Sequence, residues 1–107
     1  MKKAVLLTVN ENVEEINELC RSAGIELLAT IIQKRKRPEA GMFFGKGRMQ
    51  DVKNIVESLK VDVVVCNGDL KPNQHYNLET YLECTCTDRI GIILDIFTER
   101  ANDRQAR

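Results

Sequence analysis

No apolar stretch in this chain approaches the ~20 consecutive residues that a membrane-crossing helix requires. The opening Met1-Lys2-Lys3-Ala4-Val5-Leu6-Leu7 has the charge order of a secretion signal, but Asn10-Glu11-Asn12 cuts the apolar run short and no small-residue cleavage site follows. It reads as a buried first strand, and the expected location is cytoplasmic. Histidine occurs once, at His75, which leaves no His/Cys pattern with the spacing of a zinc site. Paired carboxylates, a Ser/His/Asp set and a Gly-x-x-x-x-Gly-Lys-Ser/Thr phosphate loop are all missing. Repeats and low-complexity segments are missing too. The sequence therefore offers no catalytic residue and no metal ligand set.

Net charge is also lacking: 16 basic residues balance 16 acidic ones. The balance hides a separation. Residues 34–53 hold seven bases (34, 35, 36, 37, 46, 48, 53) against two acids (39, 51), whereas residues 11–26 hold five acids and a single base, Arg21. A local basic patch attracts phosphates even when the total cancels. The four cysteines (20, 66, 84, 86) fit neither a redox pair nor a disulfide framework, and read as free, mostly buried thiols.

What is present is an alternation of strand and helix patterns over 107 residues, enough for one domain that buries about two-thirds of its unfolded surface. Ala4 to Val9 and Ile25 to Ile32 are compact apolar runs suited to buried strands. Between them Asn12 is placed to cap a helix, with Glu15 completing a capping box, and Val13, Ile16, Leu19, Cys20 and Ala23 form one stripe ending at Gly24. Met42-Phe43-Phe44 has the composition of a short strand. Met49, Val52, Ile55, Val56 and Leu59 repeat with helical spacing. Val61 to Cys66 is a strand, Pro72 opens a third helix carrying Leu78, Tyr81 and Leu82, and Thr85 to Thr87 is a last short strand. From Ile90 a final helix carries Ile90, Ile93, Leu94, Phe97 and Ala101 on one face and Ile92 and Ile96 on another, so it has more apolar surface than a small domain can cover. Asp95 lies between these apolar residues, within reach of Arg89 or Arg100. The expected fold is α/β: a small domain of two or three layers, with a mostly parallel sheet of about four strands and alternating helices.

Three segments are candidate sites. Gly45-Lys46-Gly47-Arg48 stands before a helix, where free N–H groups favour anions; it is equally consistent with a plain strand-to-helix turn. A small nucleotide-binding domain using this turn is the remotest of the functional readings. Lys34-Arg35-Lys36-Arg37 has four cations for phosphate contacts, or is a solvated loop, and the neighbouring Phe43 and Phe44 either stack on bases or belong to the core. Asn73 and Gln74, at the start of the third helix, either cap it or bond a base edge or ribose. His75 lacks a neighbouring nucleophile or orienting carboxylate, and Asp88 is placed to cap the last helix.

Taken together, Phe44-Gly45-Lys46-Gly47-Arg48, Val63-Val64-Val65, Asn67-Gly68-Asp69-Leu70, Pro72-Asn73-Gln74 with Asn77-Leu78-Glu79, and Asp88-Arg89-Ile90-Gly91-Ile92-Ile93-Leu94-Asp95-Ile96-Phe97 with Arg100-Ala101 resemble the N-terminal domain of the HflX-type GTPases. The block beginning at Asp88 is the most specific part. The resemblance implies that 1–89 form the α/β N-terminal domain and that 90–107 begin a helical linker toward a GTPase domain outside this chain. It implies a translational GTPase of the large ribosomal subunit, linked to splitting or rescue of stalled ribosomes, whose first domain contacts ribosomal RNA. GTP and Mg2+ would belong to the separate domain, and this fragment would be non-catalytic and hold no cofactor. On this reading Lys34, Arg35, Lys36, Arg37, Lys46 and Arg48 contact RNA, with Asn73, Gln74 and Arg89 beside them. The alternative is a protein-binding regulatory domain that controls the adjoining GTPase domain.

Overall fold

The computed structural model describes the backbone of residues 1–105, and side-chain surroundings through residue 98. Four strands, β1 (Lys2–Thr8), β2 (Ile25–Ile32), β3 (Val63–Cys66) and β4 (Thr85–Thr87), form one sheet in the order β2-β1-β3-β4, with every pairing parallel. Four helices connect and follow them: α1 (Glu14–Ser22), α2 (Lys46–Leu59), α3 (Pro72–Leu82) and α4 (Arg89–Gln105). Alternation along the strands sends side chains to two cores. Ala4, Leu6, Val63 and Val65 face α1 and α4, and Val5, Leu7, Val64 and Cys66 face α2 and α3. The result is three layers with the sheet in the middle, and the central strands are apolar on both faces for that reason.

Neither edge of the sheet is a clean template for a further strand. Ala4 faces Leu27 but Val5 faces Ala29, so Leu28 is an extra residue in β2. The bulge turns the strand over: Ile25 and Leu27 pack in the α1/α4 core, and Ile31 with Ala29 in the other. At the opposite edge, the Cys86 N–H donates to Glu79 Oε2 (2.9 Å) and the Cys86 carbonyl lies 2.7 Å from His75 Nε2. One i,i+4 pair on α3, with Nε2 and Oε2 3.3 Å apart, thus satisfies the backbone groups that β4 turns outward. His75 has a structural task here, and Glu79 is the neighbouring carboxylate that the sequence did not assign to it.

Three further details differ from the sequence-based expectation. Val13, not Asn12, is the N-cap of α1, and no side chain caps that helix. Asn12 is held in the preceding turn, its N–H donating to Asn10 Oδ1 (2.9 Å) and its backbone carbonyl accepting from Asn67 Nδ2 (3.0 Å), and the N-cap falls one residue later. Met42-Phe43-Phe44 is no strand: a single antiparallel bridge joins Glu39 and Phe43, and Phe43 takes a left-handed φ of 76° that turns both phenyl rings into the α2/α3 core. Arg89 turns to Glu15 (3.7 Å) and Asp69 (3.9 Å) instead of Asp95. Arg100, the other partner considered for Asp95, and Ala101 lie outside the described side chains, and 106–107 outside the described backbone.

On α4 it is Ile92 and Ile96 that pack against the sheet and α1, so the first turns of this helix belong to the packed layer. Asp88 sets the approach of α4 by accepting from Gly91 N–H (2.8 Å) and Leu70 N–H (2.7 Å), joining the helix start to the loop after β3. Gly91 lets the first turn of α4 lie against Thr87, whose Oγ1 stands where a Cβ would be. Ile90, Leu94 and Phe97 are left exposed.

Candidate nucleic-acid interface

In a parallel sheet all strands end at the same side, so the segments after β2, β3 and β4 emerge together. Every candidate residue from the sequence lies at or near this end. The crevice between β1 and β3, where the strand order reverses, is the usual ligand position in such sheets. Here Asn67 Nδ2 bridges it, donating to Thr8 Oγ1 (3.0 Å) and to the Asn12 carbonyl. Arg89 stands beside that crevice between two carboxylates, in the α1/α4 layer. The basic run and the glycine turn lie toward the α2/α3 layer, so the fold does not bring Arg89 into their cluster.

The cluster itself is assembled by backbone. Gln33 N–H donates to the Thr8 carbonyl (3.0 Å) and Arg35 N–H to the Val9 carbonyl (3.1 Å), carrying the line of β2 past its end. Gln33 Oε1 then accepts Gly45 N–H (2.8 Å), which closes residues 33–45 into a loop whose two ends touch. The Arg35 guanidinium lies over Gly45, 3.5 Å from where a Cβ would stand. Arg48 donates to the Ile32 carbonyl (3.3 Å) and pairs with Asp51 (3.2 Å). Lys34–Glu11 (3.2 Å) is an exposed pair worth about 0–1 kcal/mol. Lys36, Arg37 and Lys46 are exposed and have no ion-pair partner among the described residues.

At the far side of the loop, Glu39 and Phe43 exchange two backbone hydrogen bonds (2.8 and 3.0 Å). The Glu39 carboxylate folds back onto Gly41 N–H (2.6 Å) and Met42 N–H (2.7 Å), which takes the loop's one acid away from the surface. Three amides of α3 hold this turn: Asn73 on the Ala40 carbonyl (3.2 Å), Gln74 on Glu39 (2.8 Å) and Asn77 on Gly41 (3.0 Å). Gln74 is buried, and its Oε1 also accepts Lys71 N–H (2.9 Å) at the helix start. Asn73 and Gln74 are therefore brackets for the loop, and Gln74 makes no external contact. Glu39 and Asn77 are organisers that residue type alone does not flag. In the sequence Asn77 stands four positions after Asn73 on the same helix face, within the segment that carries the family resemblance but with no role assigned by residue type.

The start of α2 sets charge against the helix, as does that of α4, which also opens on an arginine with no acid in its first turn. Gly45 is its N-cap, no side chain caps it, and the first turn has no acid but carries Lys46 and Arg48. Cations at a helix N-terminus oppose the macrodipole, by about 0.3–1 kcal/mol each at exposed sites. An anion at this end would turn that local penalty into an attraction.

The other groups with chemical potential are inert or occupied. A cleft of about 300 Å³ between α3 and α4 is lined by Leu70, Pro72, His75, Cys86, Thr87, Asp88 and Gly91, where His75 and Asp88 already serve the backbone. Burial pushes the Cys86 thiol up to about 12, with Cys84 and Glu79 nearby adding to it, and pushes Cys20 up to about 11. All four cysteines are free. These are protonated packing groups at neutral pH. No cluster of three potential metal ligands occurs among the described residues, and no described helix is long and apolar enough to cross a membrane.

Comparison with known proteins matches residues 10–98 to the family described as GTP-binding GTPase N-terminal. The GTPase HflX of Escherichia coli (strain K12) is 37% identical over 97 residues, covering 91% of this chain and 23% of that protein. That of Thermococcus kodakarensis is 37% identical over 93 residues, covering 87% and 21%. The chain thus spans less than a quarter of the length of either curated relative. A GTP-binding protein from Sulfolobus solfataricus, solved in complex with GDP, shares the fold with a TM-score of 0.72 at 24% identity, over 91% of this chain and 30% of that one. The family match and the identities over most of the chain agree with the motif order, and the chain belongs to the GTP-binding GTPase N-terminal family as an HflX N-terminal domain.

Proposed function

We propose that this domain is a non-catalytic ribosomal-RNA-binding module of a GTPase that acts on the large ribosomal subunit, in splitting or rescue of ribosomes. GTP and Mg2+ would be handled by a separate domain. The observation that carries this reading is the uncapped start of α2, where Lys46 and Arg48 oppose the helix dipole beside Arg35, Lys36 and Arg37. Departures from local rules concentrate where function demands them, and a phosphate is the partner that reconciles this one. The test is co-sedimentation of the chain with purified large subunits across a salt series. Pelleting should fall steeply, with log K against log salt sloping by about 0.9 per phosphate contact on helical nucleic acid. Absence of pelleting at low salt removes the reading.

The exposed apolar stripe Ile90, Leu94 and Phe97 on α4 favours a second reading, in which the domain controls the adjoining GTPase domain by direct contact. It predicts that the purified domain alters the GTP turnover of a separately produced GTPase domain without ribosomes. An unchanged rate counts against it.

A further inference from the structure

Resting on the RNA-binding reading, we infer that Glu39 is a positioning residue for RNA: an acid inside the basic loop that raises affinity by shaping the loop and touches no phosphate itself. For charge alone its place is the wrong one. Glu39 follows Arg37 by two residues, and a carboxylate among cations lowers their attraction for phosphate. Its Oε2, however, accepts both Gly41 N–H (2.6 Å) and Met42 N–H (2.7 Å), so the charge is directed into two charge-assisted backbone hydrogen bonds. Gly41 leaves room for it: an added Cβ would stand 3.2 Å from the same oxygen. The Glu39 carbonyl accepts from Phe43 N–H (3.0 Å) and from the amide of the buried Gln74 (2.8 Å). Side chain and backbone of one residue thus tie the turn to itself and to α3.

What this turn positions is the short span before it. Arg35 N–H is fixed on the Val9 carbonyl (3.1 Å), and Arg35 Nε donates to the Arg37 carbonyl (3.3 Å). Lys36, Arg37 and Pro38 are therefore strung between two anchored residues, Arg35 and Glu39, and the ring of Pro38 fixes its own φ. Lys36 and Arg37 are the exposed cations of that span, with no ion-pair partner among the described residues. Without the Glu39 acceptor, the N–H groups of Gly41 and Met42 lose their partner, the far anchor loosens, and the span has to be ordered when RNA binds. Affinity falls by that ordering cost although every cation is still present.

The test is binding of the full chain to purified large ribosomal subunits across a salt series, with three substitutions of this residue. Glu39→Gln keeps an acceptor oxygen at the same reach and removes the charge. Glu39→Met keeps the stem without the acceptor, and Glu39→Ala removes both. At ~0.1 M salt Glu39→Gln should bind as tightly as the unaltered chain, or up to about three-fold more tightly. Glu39→Met and Glu39→Ala should bind about ten-fold more weakly with an unchanged salt slope, because position is lost and phosphate contacts are not. Thermal unfolding checks that each variant is folded, and Glu39→Met decides the matter where Glu39→Ala is not. Binding by Glu39→Met and Glu39→Ala as tight as that of the unaltered chain, or tighter, means that charge alone counts; it overturns the inference while leaving RNA binding in place. Glu39→Gln as weak as Glu39→Ala overturns it too, as does a slope lower by about 0.9 or more, the mark of a lost phosphate contact. An unaltered chain that fails to pellet with large subunits at any salt takes away the RNA-binding reading, and this inference with it.

Discussion

Replacing Phe43 by alanine is expected to cost about 3–5 kcal/mol of folding stability, a large share of the ~5–15 kcal/mol that holds a domain together. Phe43 is fully buried, packs on Phe44 and lies beneath Gly68, where its ring edge is 3.6 Å from the position of an added Cβ. It is also one of the few non-glycine residues with a left-handed backbone, φ 76°. That conformation costs an ordinary side chain about 1–2 kcal/mol, and glycine nothing. The two contributions can be separated by thermal unfolding. Truncation to alanine loses the ring and keeps the backbone penalty; truncation to glycine loses the ring and removes the penalty. Phe43→Gly should therefore unfold at a temperature equal to or above Phe43→Ala, reversing the usual order in which glycine is about 0.5–1 kcal/mol worse. A Tm for the glycine variant clearly below the alanine variant would show that the turn does not depend on this backbone state.

That residue also marks where sequence reasoning stops. The alternation of strands and helices was legible because a parallel sheet covered on both faces needs apolar strands and amphipathic helices, and both leave periodic traces. β2 and the opening of α3 at Pro72 lie where those traces place them. Met42-Phe43-Phe44 has strand composition, but its conformation is decided by a positive φ at Phe43 and by three amides arriving from α3, more than thirty positions later in the chain. No local pattern encodes that. The same limit governed Asn12, a good cap by residue type whose backbone Asn10 and Asn67 hold in the turn before the helix. On α4 the pattern revealed two apolar faces. Which one packs was settled by Asp88 and Gly91, whose contacts with Leu70 and Thr87 fix the angle at which the helix leaves the sheet.

For the site, charge was legible and role was not. The basic run and the glycine turn are obvious in the sequence, and a parallel sheet delivers both to one end of the molecule. Asn73 and Gln74 look outward by composition, yet their hydrogen bonds point into the fold. Arg89 is basic by type but stands between Glu15 and Asp69 in the other helical layer. Glu39 is an ordinary acid whose importance exists only in three dimensions, and Asn77, though part of the segment that carries the family resemblance, shows its role of holding the Gly41 carbonyl only there.

Substituting Lys36, Arg37 and Lys46 together by alanine is expected to weaken binding to large subunits on the order of a hundred-fold at ~0.1 M salt and to lower the salt slope by about 0.9 for each phosphate contact removed, up to three. None of the three side chains takes part in an ion pair or hydrogen bond of the described fold, so thermal stability should not fall with affinity. A sharper version uses one position. Lys46 is the first residue of a helix with no acid in its first turn. Lys46→Asp exchanges a charge that opposes the macrodipole for one that complements it, and should raise stability by about 0.3–1 kcal/mol or more. The same exchange places a carboxylate where a phosphate is expected and should weaken binding further than alanine does. Stability and affinity then move in opposite directions from a single substitution, which is the behaviour of a charge retained for a ligand at a cost to the fold. If Lys46→Asp stabilises the domain and leaves subunit binding unchanged, the N-terminus of α2 is not a phosphate contact, and the run Lys34 to Arg37 must account for the binding without it.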